Sequence, residues 1–224
     1  MILPDKFTSY IKKHRLFSAK DQLLVAVSGG VDSVVLCELC KIAGFNFTIA
    51  HCNFQLRGEE SDRDEAFVRS LAESYQVKAF IKKFDTEKFA GDNKLSIQVA
   101  ARELRYTWFE ELRLEIENRQ HTIEKQKLSG MRPHRKSDIV HPTFILTAHH
   151  ANDNIETLLM NFFKGTGIAG LRAIQPRQGK IIRPLLFAKK EEILNFAGEN
   201  NLRFVEDSSN LSDKYTRNYF RNQL

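Results

Sequence analysis

The sequence predicts an α/β fold, a doubly wound, mostly parallel five-stranded sheet with helices on both faces. Short apolar runs alternate with longer segments of helical period over the first two-thirds of the chain, as in strands joined by crossover helices. A Gly-Gly turn separates the first apolar run from the first helical segment. The 224 residues, 42% hydrophobic and 28% charged, are enough for one domain with its own core.

The elements follow from these runs in order. The short apolar runs are typical of buried strands and are bounded by turn residues. The helices between them begin at polar capping residues such as Ser61 and Ser96. Gly44 and Gly165 stand where two helices should end. The predicted strands are 23–27, 45–50, 77–84, 144–148 and a short fifth strand that begins with Ile181 and Ile182. The predicted helices are 34–42, one from Ser61, one from Ser96, one from Asn152 to Gly165, and 189–200.

Two segments between strands carry further expectations. Residues 119–137 lose the helical period and gather basic side chains, which predicts an exposed basic insertion. In the helix from Asn152, apolar side chains recur at helical spacing, and we expect them to face the sheet. They are Ile155, Leu158, Leu159, Phe162 and Phe163.

Composition excludes several classes of protein. With 11 Gly and 5 Pro the chain is neither collagen-like nor of low complexity, and no apolar run approaches the ~20 residues of a membrane helix. Three cysteines are too few for a disulfide scaffold, and the first residues lack a secretory signal, so we expect a cytoplasmic protein without membrane contact. The net charge of +6 permits a polyanionic partner.

The hexapeptide between the first strand and the first helix predicts a phosphate site. Two glycines let the backbone approach an anion, and the first amides of the helix point at it. The spacing fits neither a Walker A loop nor a dinucleotide fingerprint. A plain strand-to-helix turn is the alternative, but a carboxylate beside a phosphate indicates a bridging metal. The residues are Ser28, Gly29, Gly30, Val31, Asp32 and Ser33.

Two other motifs have ordinary explanations. Residues 165–170 match G-x-G-x-x-G, but they follow a helix instead of a strand. Cys37 and Cys40 form a C-x-x-C inside an apolar helix without a second pair, so we interpret them as core cysteines.

Polar residues at three predicted strand ends, 28–33, 51–53 and 149–153, predict one shared site, because parallel strands end at one edge of the sheet. Asp153 and Glu156 are three residues apart and share a helix face, where a cation or ammonium would lie between them and Asp32. The alternative is that Asp153 caps the helix and Glu156 is solvated. Arg102 and Arg105 lie off the apolar stripe of their helix, free to contact a ligand or to pair with surface acids.

Five stretches, in order, resemble the tRNA(Ile)-lysidine synthetases, a branch of the PP-loop ATP pyrophosphatase group. They are SGGVDS at 28–33, HCNFQLRG at 51–58, QVAARELRY at 98–106, TAHHANDNIET at 147–157, and EDSSN at 206–210 followed by YTRN at 215–218. The first stretch is typical of the whole PP-loop group. The fourth and fifth are typical of the lysidine-forming branch.

The resemblance implies a ligase that joins free L-lysine to carbon 2 of the wobble cytidine of tRNA(Ile) with a CAU anticodon. ATP and Mg²⁺ take part, and the cytidine is adenylated before lysine displaces AMP. By the same resemblance Asp32, Asp153, Glu156 and Arg102 are catalytic, and Asp32 and Asp153 bind the metal. The implied ATP-binding residues are Ser28, Gly29, Gly30, Val31, Asp32, Ser33, His51 and Arg105.

Two other functions stay open at this point. One is a PP-loop tRNA thiolase, which would need reactive cysteines, and the other is a nucleotide-binding module without turnover. We expect residues 1–224 to form one N-terminal catalytic domain without C-terminal tRNA-recognition domains, and therefore weak lysidine formation. The sequence leaves the oligomeric state open, with a homodimer as one option.

Overall fold

The computed structural model describes residues 2–128, 141–165 and 173–206, with the backbone alone for 123–128. In this part of the chain six strands form one sheet, in the order β3-β2-β1-β4-β6-β5. All neighbouring strands are parallel except β5 and β6. The strands are β1 Gln22–Ala26, β2 Phe47–Asn53, β3 Ala79–Lys83, β4 Thr143–Leu146, β5 Arg177–Gln178 and β6 Ile181–Ile182.

Helices connect these strands, and two of the helices have no counterpart in the sequence prediction. The unexpected ones are the first helix, whose buried side chains are Leu3, Phe7 and Ile11, and the short fourth helix. In the described residues, none of the helices is long and apolar enough to cross a bilayer. The helices are α1 Leu3–His14, α2 Val31–Ile42, α3 Glu59–Tyr75, α4 Thr86–Asp92, α5 Ile97–Leu128, α6 Ala151–Phe163 and α7 Lys190–Glu199.

The predicted fold class is confirmed, but the predicted number of five strands is wrong. The additional strand, β5, is a two-residue edge strand that pairs antiparallel with β6. Its residues Arg177 and Gln178 are both exposed, so no apolar run marks it in the sequence. The edge strand lies far from β1 in the sheet order and leaves the predicted strand-end site unaffected.

The sheet is covered on both faces because successive side chains of a strand point to opposite sides. In β1, Leu23 and Val25 belong to a core that includes buried side chains of α1, α2, α3 and α7. Leu24 belongs to a second core, built with Trp108 and Leu112 of α5. The fold is therefore doubly wound, with α5 on the face opposite α2.

The order of the strands creates a crevice beside β1. The chain leaves β1 towards β2 on one side, and β4 pairs with β1 on the other side. In such sheets ligands bind outside the carboxyl ends of the strands at the point where the order reverses. The residues that follow β1 and β4, near Ser28 and His149, lie at this point.

Two expectations about helices are corrected here. The predicted basic insertion at 119–137 begins inside α5, which continues to Leu128; residues 129–140 lie outside the described part of the chain. On α6 the predicted apolar face does not face the sheet, since Ile155, Phe162 and Phe163 are 57–66% exposed. The buried side chains of this helix are instead its two acids.

Candidate active site

The loop between β1 and α2 has the backbone that a phosphate cradle requires. Gly29 has φ +99°, which residues with a Cβ rarely adopt, whereas Gly30 has φ −69° and is the N-cap of α2. The Gly30 amide donates to Ser28 Oγ at 3.3 Å, and Ser33 Oγ donates to the Gly30 carbonyl at 2.9 Å. These bonds fix the loop at the positive end of the α2 dipole.

A distant segment supports the same loop. The amide of Val205 donates to the carbonyl of Gly29 at 2.9 Å. A Cβ added at Gly29 would lie 3.5 Å from Val205 Cγ2 and 3.5 Å from Phe67 Cδ1. The hydrogen bond from Val205 therefore ties Gly29 to the chain after α7, and Phe67 of α3 lies close to the same residue.

A cavity of about 280 Å³ opens in front of this loop. It brings together residues that follow β1 and β4 with residues of β2, α5 and α6. The lining residues are Ala26, Val27, Ser28, Asp32, Ser33, Ala50, Cys52, Phe54, Arg105, Tyr106, Phe109, Thr147, Ala148, His149 and Asp153. The arrangement agrees with the expectation that separate strand ends share one site.

His51 is one of the predicted site residues that do not line the cavity. It lies within β2 instead of at its end, is buried, and does not line the cavity, although its neighbours Ala50 and Cys52 do. Its Nδ1 is 2.8 Å from the carbonyl oxygen of Val27. Burial lowers the pKa of His51, so the side chain is neutral and donates from Nδ1. The His51 side chain therefore links β2 to Val27, which follows β1, and a contact between His51 and adenosine stays a prediction.

Two predicted carboxylates meet at a buried imidazole. His150, the N-cap of α6, is 3% exposed, and its Nε2 lies 3.9 Å from Asp32 Oδ1 and 3.5 Å from Asp153 Oδ2. Asp153 also accepts the His150 amide at 3.0 Å, so it caps the helix while it lines the cavity. Capping and a place in the site, posed as alternatives by the sequence, occur together.

Asp153 and Glu156 share one face of α6, as their spacing predicts, and both are buried. Glu156 does not line the cavity in front of the phosphate loop. Ile155 and Phe162 lie on the exposed face of α6, so the acids of this helix point inward and its apolar side chains point outward. This is the inverse of the usual pattern, in which a helix buries its apolar stripe.

The two predicted arginines lie against aromatic rings of the same site. The Arg105 guanidinium lines the cavity and lies 5.2 Å from the ring centroid of Phe54. The Arg102 guanidinium lies 4.9 Å from the ring of Tyr106, which itself lines the cavity. Stacked guanidinium groups of this kind keep their N–H edges available for phosphate.

The donor set fits a magnesium ion shared with a substrate. Among the described residues, no group of three or more His, Cys, Asp and Glu side chains is placed to hold a metal by itself. Magnesium is usually bound through one or two carboxylates together with phosphate oxygens. Asp32 and Asp153, each with an oxygen within 4 Å of His150 Nε2, are suited to that arrangement.

The phosphate loop lies within a region that matches a known family. A sequence profile of the PP-loop domain matches residues 3–124 and 135–224. The chain belongs to the PP-loop family. The match includes the phosphate loop and all the other cavity-lining residues, and it leaves 125–134 outside.

Curated proteins similar to this PP-loop chain include two tRNA(Ile)-lysidine synthases. That of Bacteroides thetaiotaomicron is 43% identical over 223 residues, covering 100% of this chain and 47% of the relative. That of Parabacteroides distasonis is 45% identical over 212 residues, covering 95% of this chain and 43% of the relative. The chain thus spans about half the length of these relatives.

Among solved structures, a U34-tRNA thiolase from Methanococcus maripaludis has the same fold. The TM-score is 0.58 at 18% identity, over 90% of this chain and 65% of that chain. The likeness supports the PP-loop fold and no more.

Three residues in or beside the cavity are not singled out by the sequence motifs. Lys190 Nζ is 2.6 Å from Asp32 Oδ1, and Lys190 comes from α7, 158 residues along the chain. Tyr106 and Thr147 line the cavity, and Thr147 Oγ1 is 3.0 Å from His149 Nδ1. Tyr106 and Thr147 lie within the resemblance stretches, which could have marked them, whereas no local pattern marks Lys190.

Burial disfavours the thiolate form of all three cysteines of the PP-loop chain. Cys37 and Cys40 are fully buried in the core beneath α2, as predicted, and burial raises the pKa of both. Cys52 lines the cavity, but burial raises its pKa to about 12, against the opposing effect of Arg105 and Lys82. At neutral pH all three are therefore protonated.

Proposed function

We propose that this chain, as residues 1–224, is the catalytic domain of a ligase that attaches free L-lysine to the wobble cytidine of tRNA(Ile) with a CAU anticodon. The observation that carries the proposal is the meeting of the phosphate loop, Arg105, Asp32 and Asp153 around one cavity, with His150 next to the two carboxylates. The identity to two tRNA(Ile)-lysidine synthases over nearly the whole chain supports it.

In the first step, oxygen 2 of the cytidine attacks the α-phosphate of ATP and pyrophosphate leaves. The loop residues Ser28, Gly29, Gly30, Val31, Asp32 and Ser33 bind the departing pyrophosphate through backbone amides and hydroxyls. Arg105 binds the nucleotide phosphates from the opposite wall, and Arg102 contacts phosphate near the reacting groups. The bond made is O–P at the α-phosphorus, and the bond broken is P–O to the β-phosphate.

Asp32 and Asp153 would hold a magnesium ion. When bound, it supplies positive charge that offsets repulsion between the triphosphate and these two carboxylates. His150, buried between the carboxylates, holds their separation.

In the second step, the ε-amine of lysine attacks carbon 2 and AMP leaves. The acidic face of α6 provides two buried carboxylates, Asp153 and Glu156, to orient the ε-ammonium and accept the proton it must lose. Adenylation makes the C2 oxygen a leaving group, so the C–N bond forms as the C–O bond breaks. The reaction therefore consumes lysine and ATP and yields lysidine, AMP and pyrophosphate.

The remaining parts of the proposal concern location and assembly. Modification of a tRNA places the enzyme in the cytoplasm, away from membranes. The homodimer that the sequence leaves open is tested by light scattering on the purified protein.

The test of the proposal is incorporation of radiolabelled lysine into a tRNA(Ile) CAU transcript, with ATP and magnesium, at high tRNA concentration. Asp153→Asn and Asp32→Asn should each lower incorporation at least about 100-fold, because the charge that positions amine or metal is lost. Asp92→Asn, at an exposed position of α4, is the matched control. Full activity in both site variants, or no lysine incorporated by the wild type, would refute the assignment.

Two other functions make different predictions in the same assay. A thiolase would incorporate sulfide and lose activity in Cys52→Ser, whereas the high pKa of Cys52 argues against a thiolate there. A nucleotide-binding module would bind ATP without releasing AMP in the presence of any tRNA. Lysine-dependent AMP release that persists in Cys52→Ser distinguishes the ligase from both.

A further inference from the structure

Lys190 stands at the start of α7 on a fixed backbone. Its amide donates to Asn152 Oδ1 of α6 at 3.0 Å. The preceding amide, of Lys189, donates to Glu192 Oε2 at 2.9 Å, and Glu192 Oε1 is 2.6 Å from Lys6 Nζ of α1. The base of the Lys190 side chain is therefore anchored to two other helices.

The side chain of Lys190 reaches back to the phosphate loop. Its Nζ lies 2.6 Å from Asp32 Oδ1, and the two side chains are 36% and 30% exposed. Lys190 is not itself a lining residue of the cavity, but Asp32 is. An ion pair this exposed contributes little to stability, so stability alone does not account for it.

The position of this pair matters because, under the proposed function, the polyphosphate of ATP binds in the cavity that Asp32 lines. A carboxylate at a phosphate cradle repels the ligand unless a cation lies beside it. An ammonium on a four-carbon stem has three donors and can contact a carboxylate and a phosphate oxygen at once. Because Asp32 lines the cavity and Lys190 Nζ lies 2.6 Å from Asp32 Oδ1, the ammonium stands beside the place where a phosphate would bind.

We propose that Lys190 is a further substrate-binding residue, whose ammonium binds the pyrophosphate portion of ATP and stabilises the charge on pyrophosphate as it leaves. This inference rests on the proposed function, since it requires a triphosphate in the cavity. In the empty site the ammonium neutralises Asp32. In the occupied site it contacts phosphate oxygens directly.

The alternative is that Lys190 acts only through Asp32, by orienting that carboxylate. The two roles differ once the carboxylate is removed. In an Asp32→Asn background a purely positioning lysine has nothing left to orient, whereas a phosphate-binding lysine still contributes its charge.

The experiment measures binding of inorganic pyrophosphate by calorimetry, first in EDTA and then with magnesium. Lys190→Gln should weaken binding at least about tenfold in EDTA, the loss expected for one charge-assisted contact. Lys190→Arg, which keeps the charge, should restore most of the affinity. Lys189→Gln, which removes the charge of the exposed neighbouring side chain, is the matched control and should bind like the wild type.

The double variant Asp32→Asn/Lys190→Gln should bind more weakly than Asp32→Asn alone. Equal affinities of these two proteins, or wild-type affinity in Lys190→Gln, would overturn the inference and leave the proposed function standing. If the wild type binds neither pyrophosphate nor ATP, the proposed function itself fails, and the inference with it. Melting curves of each variant check that the protein folds without the ion pair between Lys190 and Asp32.

Discussion

The phosphate loop contains two adjacent glycines that should respond oppositely to replacement by alanine. Gly29 has φ +99°, and Gly30 has φ −69°. A Cβ at Gly29 would meet Val205 and Phe67 at 3.5 Å, which is ordinary contact, so the cost of Gly29→Ala comes from the backbone and not from crowding. A positive φ destabilises a residue with a Cβ by about 1–2 kcal/mol.

For a chain of this size, each kcal/mol lowers the melting temperature by about 2–4 °C. We therefore expect Gly29→Ala to melt about 2–8 °C below the wild type. At Gly30 the backbone already suits alanine, and the added Cβ meets only Ser28 Oγ, at 3.5 Å. Gly30→Ala should be neutral or more stable by about 0.4–1 kcal/mol, because it loses less chain entropy on folding.

Thermal unfolding followed by circular dichroism, without nucleotide, measures both effects. Urea titration gives the free energy of unfolding independently. If Gly29→Ala proved as stable as Gly30→Ala, the left-handed conformation of Gly29 would carry no energetic weight, and the reasoning about the loop would be refuted.

Two further predictions concern the core and pH. Glu117→Ala should lower the free energy of unfolding, measured in urea, by about 1–3 kcal/mol, because Glu117 accepts a hydrogen bond from the amide of fully buried Thr143 at 2.9 Å and pairs with buried Arg113. The control, Glu115→Ala, changes an exposed side chain and should lower it by less than about 1 kcal/mol. Equal losses in the two variants would contradict the argument. The wild type should lose stability as pH falls below about 6.5, since His51, with its lowered pKa, takes up a proton in the unfolded chain before the folded one. The free energy of unfolding, measured in urea at several pH values between 7.5 and 5.5, should fall less steeply with decreasing pH in His51→Gln than in the wild type. The same pH dependence in both proteins would exclude His51 as the cause.

Short stretches of sequence predict much of the site, because several of its residues are close together in the chain. The loop 28–33 combines a strand end, two glycines and a helix start, and its backbone conformation follows from those neighbours. The spacing of Asp153 and Glu156 likewise places both on one helix face. For such features the sequence predicts the geometry, since no distant contact is needed to define it.

The apolar spacing on α6 predicts the wrong buried face, because the pattern along a helix depends on the polarity of its side chains and not on what surrounds the helix. Ile155 and Phe162 have the spacing of a core face, yet they are exposed, and the acids are buried. A helix normally buries its apolar stripe because the neighbour is a core. Here the neighbour of α6 is the polar site, so the acidic face turns inward.

The sequence by itself determined the fold class, the phosphate loop and the acidic pair, because strand period, turn residues and helix spacing are local properties. Only the tertiary structure decided that His51 faces away from the cavity, since the face of β2 that lines it depends on where α5 packs. It alone also brought Lys190 to Asp32 across 158 residues. Such a contact is set by the packing of whole helices on the sheet, which no short stretch of sequence encodes.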